Sequence, residues 1–222
     1  MNATRPIRII GLVGLLASAI LYTTVSAVPA GTPQPPQTRI AEIVKAIAEA
    51  NRGGNGDEIP AMADGLLQLT DGDRESLLLE LVQYVAGHRG NESAMGTALL
   101  IDYYGFTDDE KIEALTPQIG IGDSRIQDAI WDVLGTVDRP EGARESVRRV
   151  QQLERLLLRT EPASPQEADS ALREIDELSR DEIWWIRLYI AQLIRSHPDL
   201  GSDVAKRLRT DPDPRVRRAA GG

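Results

Sequence analysis

Apolar residues recur along the second half of the chain with the spacing of one helix face, and they share a common register. From Ile126 the apolar positions are i, i+3, i+4, i+7 and i+8. The same set recurs sixty residues later, from Ile186, and thirty residues earlier, from Gly96. This spacing gives one apolar stripe on a helix. A truncated copy follows at Val216, so the pattern predicts helices that repeat every thirty residues.

The repeated stripe assigns three tyrosines to the core. Tyr103, Tyr104 and Tyr189 lie on it and are predicted to be buried. Trp131 lies beside it and is predicted to pack between helices.

Other helices are predicted before and between the repeated ones. Apolar periodicity indicates a first helix around residues 40–48, then helices over Pro60 to Leu69 and Asp73 to Ala86. Thr107 to Glu110 and Ser164 to Glu167 have the sequence of a capping box, in which a hydroxyl and a carboxylate close the first helical turn.

One segment carries a turn with aspartate and proline followed by V-R-x-x-A-A. It is Asp211-Pro-Asp-Pro-Arg-Val-Arg-Arg-Ala-Ala220. It resembles the HEAT-repeat family, and the thirty-residue period is similar to its short bacterial, lyase-type form. The resemblance covers about residues 90–220. It implies an all-α fold, a short right-handed α-solenoid of stacked antiparallel helix pairs with an armadillo-type superhelix, which the family uses mostly as a binding scaffold.

The resemblance also implies roles for charged residues in the turns. Asp181 and Arg187, and thirty residues later Asp211 and Arg217, correspond to the aspartate–arginine contacts that such repeats make between neighbours. Gln127 and Thr97 stand where earlier copies would carry the arginine, so the arginine series is expected only in the second half.

The chain begins with the features of a signal peptide. Arg5 and Arg8 precede an apolar run from Ile9 to Tyr22, and Val25-Ser26-Ala27 suits cleavage after Ala27. The run is about 21 Å long as a helix, against a hydrocarbon core of about 30 Å. Export to the periplasm or the medium is therefore expected, with a membrane anchor over residues 9–28 as the alternative.

These signals divide the chain into a signal peptide at residues 1–27, a proline-rich leader at 28–38 and a helical repeat domain at 39–222. The clearest repeats span 90–137 and 165–220, and the region 141–164 departs from the simple period.

Composition limits the chemistry that the domain is expected to perform. The formal charge is −9, and loss of Arg5 and Arg8 with the signal peptide makes it −11. Such an acidic chain repels nucleic acid, so no nucleic-acid partner is expected. It has no cysteine, hence no disulfide. No motif indicates a cofactor, a metal site or a nucleophile with its base, and we expect no enzyme activity.

The two adjacent tryptophans are the candidate partner-binding residues. Trp184 and Trp185 align with positions that begin other helices of the repeat, and these positions are expected to face outward. Exposed aromatics are common anchors in protein interfaces. The alternative is that at least one of them covers the irregular segment.

The sequence therefore predicts an exported, non-catalytic scaffold for protein–protein interaction in the cell envelope. The alternatives are an enzyme like the lyase-type or DNA-glycosylase relatives, or a membrane-anchored structural component. The last repeat adds one expectation: its apolar stripe at Val216, Ala219 and Ala220 needs a cover, either from earlier helices or from another chain, so an oligomer is possible.

Overall fold

The structure is a computed structural model that describes residues 36–70, 72–88, 90–121, 123–157 and 164–221. Within these ranges the chain forms eleven α-helices and no strand, which confirms the all-α class. None of the described helices is long and apolar enough to span a membrane. The predicted signal peptide and residues 28–35 of the predicted leader lie outside the described residues.

Where the connections between helices are described, they are short, and three of them contain a turn of 3-10 helix. The helices are α1 Pro36–Gly53, α2 Ile59–Gln68, α3 Arg74–Gly87, α4 Asn91–Tyr104, α5 Asp108–Leu115, α6 Ser124–Leu134, α7 Ala143–Leu157, α8 Pro165–Leu178, α9 Trp184–Ser196, α10 Ser202–Leu208 and α11 Pro214–Ala219.

Local sequence signals determine where several helices begin and end. Both predicted capping boxes are present, at the first turns of α5 and α8: the Thr107 hydroxyl accepts from the Glu110 N–H, and the Ser164 hydroxyl accepts from the Glu167 N–H. Each glutamate in turn accepts from the backbone N–H of its cap residue. Gly105 ends α4 with a φ of 55°, a left-handed conformation that glycine adopts without strain.

The buried apolar residues of all these helices form one continuous core, from Ile40 in α1 to Val216 in α11. The predicted stripes of α6 and α9 face this core, and Trp131 is fully buried between helices. Because the chain has no cysteine, burial of this apolar surface is the main stabilising contribution to the fold.

The predicted stripe of α4 is only partly correct. Leu100 is buried, but Tyr103 is 44% exposed, so its assignment to the core is wrong. Helix α4 packs against α1 and α3. A Cβ atom at Gly96 would lie 2.5 Å from the carbonyl oxygen of Val44, so α1 approaches α4 closely at this glycine. Tyr103 lies about two turns further along the same face of α4, beyond this close approach, and faces solvent.

Packing between helices is local along the chain. In the described part, the principal packings join helices that are at most three apart in chain order: α1 with α4, α3 with α5 and α6, α7 with α8, and α9 with α10 and α11. Each helix thus buries its apolar face against near neighbours in sequence.

Helix α7 occupies the region that departs from the thirty-residue period. Its apolar residues Val147, Val150 and Leu153 are buried, and it packs against α6, α8 and α9.

Helix α7 also brings a carboxylate into the core. Glu154 is buried, and its Oε1 accepts a hydrogen bond of 3.1 Å from Trp131 Nε1 of α6. The Tyr189 hydroxyl of α9 faces the same carboxylate. Burial raises the pKa of Glu154, and the hydrogen bonds from Trp131 and Tyr189 offset only part of this rise. Burial, and then the neighbouring Glu154 charge, also raise the pKa of Tyr189.

The raised pKa of Glu154 gives a testable pH dependence. A carboxyl whose pKa is higher in the folded than in the unfolded state contributes stability at low pH, and this contribution is lost as pH rises through the folded pKa. We therefore expect Glu154→Gln, which retains an acceptor for Trp131, to raise the free energy of unfolding at pH 7. Urea denaturation at several pH values measures this gain, which should shrink as the solution becomes acidic.

The matched control is Glu145→Gln, which removes the same charge from an exposed position of the same helix. It should not stabilise the chain at pH 7. An equal gain from both substitutions would show that net charge, and not burial of Glu154, is responsible.

Candidate protein-binding surface

The turns before α9 and α11 have the same hydrogen-bond geometry. Nη1 of Arg187 donates to the carbonyl oxygens of Asp181 and Glu182, at 2.7 and 3.0 Å. Thirty residues later, Nη1 of Arg217 donates to the carbonyls of Asp211 and Pro212, at 2.6 and 2.9 Å. Each aspartate accepts from the backbone N–H two residues further on, at 2.9 Å for Asp181 and 2.8 Å for Asp211. These two turns are structurally equivalent.

Arg187 also connects one turn to the next. Its Nε and Nη2 donate to the two carboxylate oxygens of Asp211, at 2.7 and 3.0 Å, and the side chains of Arg187 and Asp211 are 11% and 6% exposed. Burial raises the pKa of Asp211, but hydrogen bonds from Arg187 and the Asp213 N–H, with the arginine charge, outweigh it and leave this pKa below its ordinary value. The bidentate pair fixes the position of α9 relative to the turn before α11.

Asp181 makes a different connection. Its Oδ2 accepts a 2.6 Å hydrogen bond from the Ser146 hydroxyl of α7. The Asp181 carboxylate is therefore bound by a serine of an earlier helix, whereas the equivalent Asp211 carboxylate is bound by an arginine.

Gln127 and Thr97 show how the earlier copies differ. Nε2 of Gln127 donates to the carbonyl of Ile121, six residues earlier, just as Arg187 and Arg217 do, and also to that of Gln118. The Gln127 side chain is shorter than that of arginine and does not also reach an aspartate of the next turn. Thr97 is buried, and its hydroxyl has no hydrogen-bond partner among the described residues. In the first half of the chain, an arginine outside this register makes such a contact: Arg74, at the start of α3, pairs with Glu110 of α5 and donates to the carbonyl of Tyr104.

Trp184 lies half-buried at the start of α9, beside this network. The guanidinium of Arg215 lies 3.3 Å from the centre of its indole ring. The same guanidinium pairs with Asp213, at 2.7 Å from Nη2 and 3.1 Å from Nε. The hydrogen bond from Arg215 is the main cause of the lowered pKa of Asp213. Cation–π contact and ion pair together hold an exposed arginine over a tryptophan.

Trp185 does not face outward as expected. Only 1% of it is exposed, and its ring centre lies 6.2 Å from that of Trp131 in the core. The thirty-residue register aligned Trp185 with Arg125 and Arg215, which are exposed. The contact with Trp131 of α6 differs from the surroundings of both arginines, and the register alone does not predict it. Of the two candidate residues, only Trp184 is accessible.

Two further polar residues near helix ends take part in contacts within the fold. His88 stacks on Tyr84 at the end of α3, with ring centres 4.1 Å apart. Oδ2 of Asp108 accepts from the backbone N–H groups of Asp138 and Arg139. Among the described residues, no group of three or more histidine or acidic side chains is arranged to hold a metal ion.

Sequence reasoning did not identify Arg215 as the partner of Trp184. The thirty-residue period does offer a signal. Arg215 lies one period after Trp185, at the start of the neighbouring helix of the repeat, and so at the same end of its helix as Trp184. Comparison of the chain with known protein families, with characterised proteins and with solved structures gives no match.

Two substitutions separate the ion pair from the turn contacts. Arg187→Ala removes two carbonyl contacts and leaves the Asp211 carboxylate buried without its partner, so we expect a loss of about 3 kcal/mol in the free energy of unfolding. Arg217→Ala removes the equivalent carbonyl contacts and no ion pair, and should cost about 1 kcal/mol. Urea denaturation of both variants provides the measurement. Equal losses would mean that the Arg187–Asp211 pair does not stabilise the fold.

Proposed function

We propose that this chain is an exported, non-catalytic scaffold that binds another protein in the cell envelope, and that its helices form a short HEAT-like α-solenoid. Two observations support the solenoid. The principal helix packings are local along the chain, as in repeat proteins, where each unit contacts only its neighbours. The turns before α9 and α11 repeat the same aspartate and arginine contacts after thirty residues.

The proposed location rests on the N-terminal sequence. Two arginines, a short apolar run and the small residues before Val28 have the order of a cleavable signal peptide. The exported chain would begin at Val28 and occupy the periplasm or the medium.

The observation that carries the binding function is the pair formed by Trp184 and Arg215. Tryptophan and arginine are the residue types most enriched at the centres of protein interfaces. Here Asp213 already fixes the arginine over the ring, so a partner would have little side-chain entropy to remove on binding. The ring and guanidinium would form the centre of the contact surface.

Affinity capture with the tagged chain tests this function. We expect a specific envelope protein to be recovered by the parent chain and lost with Trp184→Ala, because the variant removes the aromatic anchor. Trp185→Ala is unsuitable, since loss of a buried tryptophan costs about 3–5 kcal/mol and threatens the fold.

Ile121→Ala is the matched control. It removes apolar surface from a residue that is likewise accessible, in the turn before α6, and should leave capture unchanged. Equal capture by the parent and by Trp184→Ala would place the contact elsewhere, and capture of nothing by the parent would contradict the scaffold function.

A further inference from the structure

A cavity of about 370 Å³ lies between α9, α10 and the end of α11. Its apolar lining includes Ala191, Ile194 and Leu208, all of them buried residues. The volume lies within the range of pockets that hold a small ligand or a large side chain. This part of the molecule therefore has an apolar recess that an aromatic side chain can enter.

Three cations surround the recess. Arg195 is exposed and pairs with no carboxylate among the described residues. Arg209 uses Nε to donate to the carbonyl of Ala220, and Lys206 pairs at 3.1 Å with Asp203 of its own helix. This basic recess belongs to a chain with a formal charge of −9. Its charge favours an occupant that combines an apolar side chain with carboxylates.

Helix α4 of the same chain carries an exposed aromatic side chain next to an exposed carboxylate. Tyr103 is one of two large apolar residues that are clearly exposed among the described residues; the other is Ile121. Asp102 beside it is exposed and has no cationic partner in the described part of the chain. Within Asn91–Tyr104 the only charged residues are Glu92 and Asp102, both acidic.

The repeat register shows that Tyr103 occupies a position that is covered elsewhere. Val133 of α6 lies thirty residues later and is 9% exposed, and Leu193 of α9 lies sixty residues after that and is partly buried. Tyr103 is 44% exposed at the same position. Helix α4 therefore presents to solvent a residue that other copies of the repeat bury.

We infer that the chain associates with a second copy of itself, head to tail. Tyr103 of one copy enters the recess between α9 and α10 of the next, and Asp102 faces Arg195. Donor and recess are different surfaces, so the contact is heterologous and each added copy offers a fresh recess. The contact does not involve Trp184, so it is independent of the proposed partner-binding surface.

Analytical ultracentrifugation of the full chain tests this contact. The parent should sediment faster as its concentration rises. Tyr103→Ala and Arg195→Glu should each weaken association about tenfold or more, as expected for a central aromatic anchor and its charged neighbour. Both residues are exposed, and circular dichroism checks that each variant keeps its helices.

Two combinations make the test specific. The double variant Asp102→Lys/Arg195→Glu restores opposite charges and should recover much of the association. A mixture of Tyr103→Ala with Arg195→Glu should form a one-to-one complex that does not grow, because only one productive contact remains.

A parent chain that is monomeric at every concentration would overturn the inference. So would association that neither single variant weakens, or a mixture that forms no complex. Trp184→Ala should associate like the parent, so failure of the capture experiment and failure of this contact can be told apart.

Discussion

Among the described residues, the helices bury their apolar faces mainly against helices close to them in sequence, and the rest of the structure depends on this packing. The chain has no disulfide to replace such packing. One continuous core results, although the principal packings are all local in the described part. An architecture of this kind leaves much side-chain surface at its ends and along its helices. The exposed Tyr103 and the recess between α9 and α10 are two such surfaces.

Polar contacts determine how successive turns are placed on this core. The Arg187–Asp211 pair is desolvated and bidentate, so it stabilises one relative position of α9 and the following turn over others. Gln127 makes only the hydrogen bonds to carbonyls of the turn that precedes its own helix, and does not contact the next turn. The buried Glu154 contributes differently, since its carboxylate is costly to desolvate at neutral pH but links α6 and α7 through Trp131.

The sequence predicted those parts of the structure that depend on local signals. Periodicity located the helices, and the residues of the two capping boxes identified the first turns of α5 and α8. The sequence-based prediction failed at positions whose surroundings differ between copies of the repeat. Trp185 aligns with exposed arginines but is buried beside Trp131 of α6, and Tyr103 is exposed although it shares a face of α4 with Gly96, which packs against α1. The thirty-residue register places Arg215 at the start of the neighbouring helix, but the distance between the two helices, which brings Arg215 over Trp184, cannot be read from the sequence.

Hydrogen exchange can test whether helix packing is local. The measurement needs a variant in which the last helix, α11, is destabilised. Val216 is fully buried in α11, and Val216→Asp places a charge in its apolar surroundings. If contacts are confined to neighbouring helices, exchange should accelerate in α9, α10 and α11 while α1 to α4 keep their protection. Equal loss of protection in α1 to α4 would contradict the account, because it would show one indivisible fold.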